Sequence, residues 1–446
     1  MNKRTFLKVM ACIGAFFLTK RIPGLGRSEQ AWAKLRNDRP SSPGTEVSER
    51  TNLGVDPDGF SRIYMAQGED AEKNMIRVLS LLGGIESLID PEDIVILKPN
   101  AQWWGQGMTN TDAMKAFIDA VLSIPGFRGE IIIAENHQYA EPNSRGWVTE
   151  KRNGAFNYNE LVEHFQKSGY PQVTKYHWSC AGPNPNPLEG DASRESKIVS
   201  GPGEGDGYVW REDLVYSSPL GRKCMMTYPV FTSAYSGVTI DFKKGAWKDG
   251  RYTGQPVKFI NFSAINHHGR YCGVTASVKN YMGIVDMTCG HQGSVPQGYH
   301  NTHFIGLRDL KLPFQKHLHW RVQKAVREYN WKYFYHTGAV LGRFMKEVRM
   351  ADLNIITAHW VGYGSRTRPD KSAYPKTILA GRDPVALDYV ATQNVLLPLT
   401  KMESQDKALW NLNDASIKHG PFGLFLNACH AEGVGAMNPE KHRMVT

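Results

Sequence analysis

Residues 265–291, INHHGRYCGVTASVKNYMGIVDMTCGH, bring together His267, His268, His291, Cys272, Cys289 and the pair Lys279 and Asn280. Histidine and cysteine are ligands for zinc, iron or copper, so His267, His268, Cys272, Cys289 and His291 form a candidate metal set. Imidazole titrates near neutrality, which makes His267 and His268, with Lys279, candidates for proton transfer. A lysine that closes an apolar segment beside the Gly283 turn also supplies a compact charge for an anion. The bland alternative is a buried segment whose polar groups are hydrogen-bonded structural residues. Adjacent histidines point apart unless the backbone turns. The neighbourhood is nonetheless unusual, because residues 267–319 hold seven of the fifteen histidines.

Groups of this kind need strands and helices to position them. RIYMAQ reads as a strand, and Glu72 to Ile89 has apolar residues at helical spacing (Met75, Val78, Leu79, Leu82) interrupted at Gly83-Gly84. DIVILKPN and EIIIAEN are apolar strands separated by a helix over Asp112 to Leu122. KFINFSAIN, ADLNIITAH and KTILAG are further strands, and DPVALDYVATQNVL is a helix with Asp383 as its cap and Pro384 in its first turn. Continuously apolar strands alternating with helices predict an α/β fold, with a mostly parallel sheet flanked by helices. Asp249-Gly250 marks a β-hairpin inside an insertion near 140–255, and a second insertion falls near 290–348. The expected domain spans 60–396, with 397–446 packed on it as a C-terminal extension.

In open parallel sheets, ligands bind beyond the carboxyl ends of the strands. Those ends carry Lys98 and Asn100, then Glu135, Asn136 and His137, then Asn266, His267 and His268, then Thr357 and His359, and finally Asp383. Polar groups recur there while the strands themselves are apolar, which is the pattern of a cleft for a small anionic ligand.

The chain has 446 residues, 41% hydrophobic and 22% charged, with a net charge of +10. Lys3, Arg4, Lys8, Lys20, Arg21 and Arg27 against Glu29 concentrate much of that excess in residues 1–33. The rest is spread too thinly to track a nucleic-acid backbone, so no nucleic-acid partner is expected. Residues 1–33 read as an export signal. The apolar run Val9 to Leu18 is about half of the roughly 20 residues that span a bilayer, so no stable transmembrane segment is expected. Lys3-Arg4-Thr5-Phe6-Leu7-Lys8 resembles a twin-arginine signal with lysine first, which predicts export to the periplasm and allows a cofactor to be loaded before export. Residues 34–59 read as a linker. The six cysteines lack the close spacing of a ferredoxin run.

Three segments, LLGGIESLIDPEDIVILKPN, GVTASVKNYMGIV and ILAGRDPVALDYVA, together resemble the bacterial and archaeal family of the domain of unknown function numbered 362. The resemblance implies a conserved α/β domain and marks Lys98, Asn100, Lys279, Asn280, Asp383 and Asp388 as site residues, but it implies no particular reaction. Family members are often labelled iron–sulfur proteins, and the cysteines here do not fit that label. Relatives often carry Pro-Lys-x-Lys-x-His where this chain has Ser263 to His268, and aspartate where it has Thr357. The expected function is an enzyme or cofactor carrier with an anion-binding cleft and no defined cofactor, a transition metal being one option. A non-catalytic periplasmic binding protein for a small anion is the alternative, and an iron–sulfur electron carrier is disfavoured.

Overall fold

The computed structural model describes residues 51–136, 147–178, 197–218, 221–287, 299–300, 302, 305–306, 315–331 and 334–446. The export signal, most of the linker, and His137, Cys180, Cys289, His291 and His303 lie outside the described residues. The chain divides into two compact units, 1–48 with 217–222 and 49–216 with 223–446. The second holds every element that follows, apart from the last residue of the strand that ends at Ser217.

Its first half alternates strand and helix: β1 (Ser61–Gln67), α1 (Ala71–Leu81), β2 (Ile94–Lys98), α2 (Thr111–Leu122), β3 (Glu130–Glu135), α3 (Tyr158–Lys167) and β4 (Val173–His177). Local chemistry sets these boundaries. Asp70 and Asn110 cap α1 and α2, and Asn157 and Glu160 form a reciprocal capping box at α3. The periodicity running on to Ile89 does not extend α1, because Gly83 and Gly84 take φ of 94° and 92° and break it after Leu81.

An antiparallel insertion follows, β5 (Gly207–Ser217), β6 (Lys223–Thr232), β7 (Thr239–Asp241), β8 (Gly245–Lys248) and β9 (Arg251–Tyr252). Asp249 and Gly250, both at positive φ, form the expected hairpin turn between β8 and β9. The chain then returns through β10 (Val257–Gly269), β11 (Gly273–Thr275), α4 (Ser277–Asn280), β12 (Tyr299–His300), α5 (Trp320–Trp331) and α6 (His336–Glu347). It ends with β13 (Leu353–Gly362), β14 (Thr377–Gly381), α7 (Pro384–Ala391), α8 (Leu397–Glu403), α9 (Lys407–Leu412), α10 (Pro421–His430) and β15 (His442–Val445).

The main sheet runs β15-β1-β14-β13-β10-β2-β3-β4, with β11 paired on β10. From β13 to β4 every neighbouring pair is parallel, and β14 is antiparallel to both its neighbours. The expected α/β class, a mostly parallel sheet flanked by helices with a hairpin and insertions, is therefore what the chain adopts. Strand alternation sorts the core into two layers. Val95, Leu97, Ile131 and Ile133 pack with Met75, Phe117 and Leu161 of α1 to α3. Ile94, Ile96, Ile132 and Ala134 face the other way, onto a core with Phe231, Ile240, Phe344 and Phe425. Burial on both faces is why these strands lack polar alternation. Among the described residues, no helix is long and apolar enough to cross a membrane.

Candidate functional site

Lys98 ends β2 and is fully buried. Its ammonium donates to Pro99 O, Glu135 Oε1 and Asn280 Oδ1, each at 2.8 Å. An ammonium has three protons, so this set uses all of them. Burial pushes the amine down and the Glu135 carboxyl up, and each group opposes the other's shift. We assign the charged pair, because Glu135 also accepts from the Ala101 backbone. Asn280 passes the network on to Asn261 at 2.8 Å, and Asn261 donates to Asn354 at 2.9 Å and to the Ser277 carbonyl at 3.0 Å. Lys98 and Asn280, named separately from their strand-end and loop positions, are thus direct partners. A side chain at Gly283 would reach within 2.3 Å of Lys98 Nζ, which explains the glycine after Tyr281-Met282.

The two aspartates organise backbone. Asp388 accepts from Ser277 N at 2.7 Å and Val278 N at 2.9 Å, and so fixes the start of α4. Asp383 caps α7 through Val385 N and Ala386 N, both at 2.9 Å, and takes Ser61 Oγ at 2.5 Å and Ala436 N at 2.7 Å. Burial raises the pKa of both carboxyls, against these donors. Asn100 shapes the turn after β2. Its backbone N–H donates to Thr109 Oγ1 at 2.8 Å, and its Oδ1 accepts from Gln102 N at 3.4 Å. Thr357 likewise donates to Ser263 O at 3.1 Å and accepts from Asn110 N at 3.1 Å.

A different constellation forms where β10 ends. Lys279 Nζ lies 2.6 Å from His268 Nε2, and Thr275 Oγ1 lies 2.7 Å from His268 Nδ1. Arg366 Nη1 approaches the same ring, 2.8 Å from Nε2 and in contact with Nδ1. Guanidinium and ammonium groups only donate; Arg366 reaches both ring nitrogens but Lys279 meets Nε2 alone, so we assign the lone pair to Nε2 and the proton to Nδ1, where the Thr275 hydroxyl can accept it. Lys279 is 5% exposed. Burial pushes its ammonium down to about 8; the Cys272 thiol opposes that shift and the Arg366 charge reinforces it. Among the described residues no carboxylate lies within ion-pair range of Lys279, whose neighbours besides His268 include the Cys272 thiol and the Phe334 ring at 5.6 Å. One residue before this histidine pair, Asn266 Oδ1 accepts from Gly362 N at 2.7 Å, while its buried Nδ2 has no hydrogen-bond partner. A cation without a carboxylate and a buried unpaired donor, close along one strand end, suit an anion.

The candidate metal ligands do not converge where they are described. His267 turns away from that group, its Nδ1 donating to Asn413 Oδ1 at 2.6 Å, and burial lowers its pKa against that hydrogen bond. Cys272 is buried, its thiol pushed up by burial, and donates to Val274 O at 3.3 Å. Among the described residues no group of three or more His, Cys, Asp or Glu could hold a metal ion. Cys289 and His291 lie outside the described residues.

Arg366, Thr275, Asn261, Asn354 and Asn413 escape a reading of the sequence. Arg366 sits in the polar loop GYGSRTRPD after β13, with no local pattern that singles it out. It meets His268 across a separation of 98 residues. Asn261 and Asn354 carried a signal that could have found them, an amide flanked on both sides by apolar residues within each of two strands. They pair in register across β10 and β13.

No curated protein and no solved structure matches the chain. Residues 255–393, from just before β10 into the π-helical turn after α7, match the model of the family described as Domain of unknown function (DUF362), the family that the sequence resembles.

Proposed function

We propose that this chain binds a small anionic ligand at the ends of β10 and β13, and that it is an enzyme in which His268 transfers a proton. The observation that carries the reading is Lys279, a buried amine that faces an imidazole instead of a carboxylate. An arriving anion would draw Lys279 and Arg366 to itself and release the Nε2 lone pair of His268 as a base. Asn266 Nδ2 supplies a neutral donor near the same strand end. Lys98, Asn280 and Asp388 hold α4, and with it Lys279, in place. The test is calorimetric titration with phosphate, sulfate, acetate and malonate on the wild type and Lys279→Met. Saturable binding that the variant loses supports the reading, and no binding of any anion overturns it. Binding with no turnover on any tested substrate would leave a capture protein.

The resemblance of Lys3 to Lys8 to a twin-arginine signal supports export to the periplasm. Cell fractionation tests this. Retention in the cytoplasm of a variant with Lys3 and Arg4 both changed to glutamine is the expected outcome, and periplasmic recovery of that variant would exclude the route.

A further inference from the structure

An aromatic strip adjoins the Lys279 constellation, and no step above uses it. Trp103 and Trp104 follow β2 and meet edge to face with centroids 5.6 Å apart. Gly105 continues that loop against the indole of Trp360, so that a Cβ at Gly105 would stand 3.2 Å from a Trp360 ring carbon. The bridge between Val361 and Ala373 then places Tyr374 beside Trp360, their rings stacked at 5.2 Å with planes 10° apart. At the other end, the Arg366 guanidinium lies 4.5 Å over the Trp103 ring and touches His268, which touches Lys279. Tyr374 and Trp360 at one end are therefore joined through Gly105 to the Trp103-Trp104 pair, and from Trp103 contacts run through Arg366 and His268 to Lys279.

The outer end of this path is open to solvent. Tyr374 is 59% exposed and Trp104 47% exposed. Neither the Tyr374 hydroxyl nor the Trp104 indole N–H bonds a described residue. Isolated exposed aromatics are common, but a cluster that leads to a half-buried guanidinium and a buried ammonium is not.

Resting on the anion-binding reading above, we infer that the ligand is an acidic oligosaccharide, with sugar rings laid on Trp104 and on Tyr374 and a carboxylate directed to Arg366 and Lys279. The physical match has three parts. An aromatic face is electron-rich and attracts the weakly positive C–H groups on the flat side of a pyranose. The free indole N–H and phenol hydroxyl answer sugar hydroxyls. A planar guanidinium fits a planar carboxylate with two parallel hydrogen bonds. A nucleobase suits this surface less well, because it inserts between two rings. Here Trp360 and Tyr374 already stack on each other and Arg366 covers Trp103, which leaves single outward faces and no slot.

The experiment is calorimetry on the full chain with trigalacturonate, neutral galactotriose, adenosine monophosphate and malonate, repeated on Trp104→Ala/Tyr374→Ala after circular dichroism shows it folded. The expected result is that trigalacturonate binds at least about tenfold more tightly than malonate and galactotriose, and that this advantage over malonate disappears in the double variant. Malonate binding without trigalacturonate binding overturns the saccharide assignment and leaves the anion cleft standing. Tighter binding of the nucleotide, or a saccharide advantage that survives the double variant, also overturns it. No binding by any anion removes both readings together.

Discussion

Lys279 Nζ stands 2.6 Å from His268 Nε2, so that a buried amine and an imidazole share one hydrogen bond with no carboxylate completing the pair. Burial, offset in part by the Cys272 thiol and reinforced by Arg366, brings the Lys279 pKa down to about 8. Two consequences of opposite sign follow. Anion binding needs the charged amine, so affinity falls as pH rises through about 8. Folding behaves the other way. Above pH 8 the folded chain holds fewer protons than the unfolded one, whose lysines stay charged to about 10.4, so this group adds stability as pH rises between those values. Calorimetric titration from pH 6.5 upward checks the first, and the difference in denaturation midpoint between wild type and Lys279→Met across the same range checks the second.

Lys98→Met leaves the Glu135 carboxylate buried without its cation. The expected cost is about 3–5 kcal/mol, since breaking one half of a buried pair strands the other. Lys98→Met combined with Glu135→Leu costs less than the two single changes added together. Urea denaturation of the four proteins measures the coupling, and strict additivity would show that the pair is not coupled.

Gly283→Ala puts a methyl group 2.3 Å from both Lys98 Nζ and Glu135 Oε1. Neither atom can retreat without giving up a buried hydrogen bond, so the expected loss exceeds about 2 kcal/mol. A thermal midpoint within a degree of wild type would show that the site yields more easily than the geometry implies.

Asp383→Ala removes the cap of α7 and leaves Ser61 Oγ and Ala436 N without their acceptor. We expect a loss of about 2–4 kcal/mol, with a smaller loss for Asp383→Asn, which keeps a side-chain oxygen for the helix. If both variants retain wild-type stability but lose anion binding, Asp383 belongs to the ligand site instead.

Much of this protein was legible in short stretches. The cap at Asp383 was readable because the donors it accepts from are the next turn of backbone. The apolar runs DIVILK and EIIIAE announced strands buried on both faces, because only a sheet covered by helices removes polar alternation. The Asp249-Gly250 hairpin and the break at Gly83-Gly84 were equally local, since each depends on backbone angles that few residues adopt.

What was not legible is which of those groups face one another. Lys98 invited an anion, yet its protons meet Glu135, 37 residues on, and Asn280, 182 residues on, as well as the next carbonyl. His267 and His268 are neighbours in sequence, but one meets Asn413 and the other meets Lys279 and Arg366. By itself the sequence determined the class of fold and the principal strands and helices of the sheet, because these follow from hydrophobic period and local backbone preference. The tertiary structure decided that Lys98 closes on a structural network while Lys279 meets an imidazole. Such pairings depend on strand order and register, which bring distant positions together through crossovers that no local pattern records.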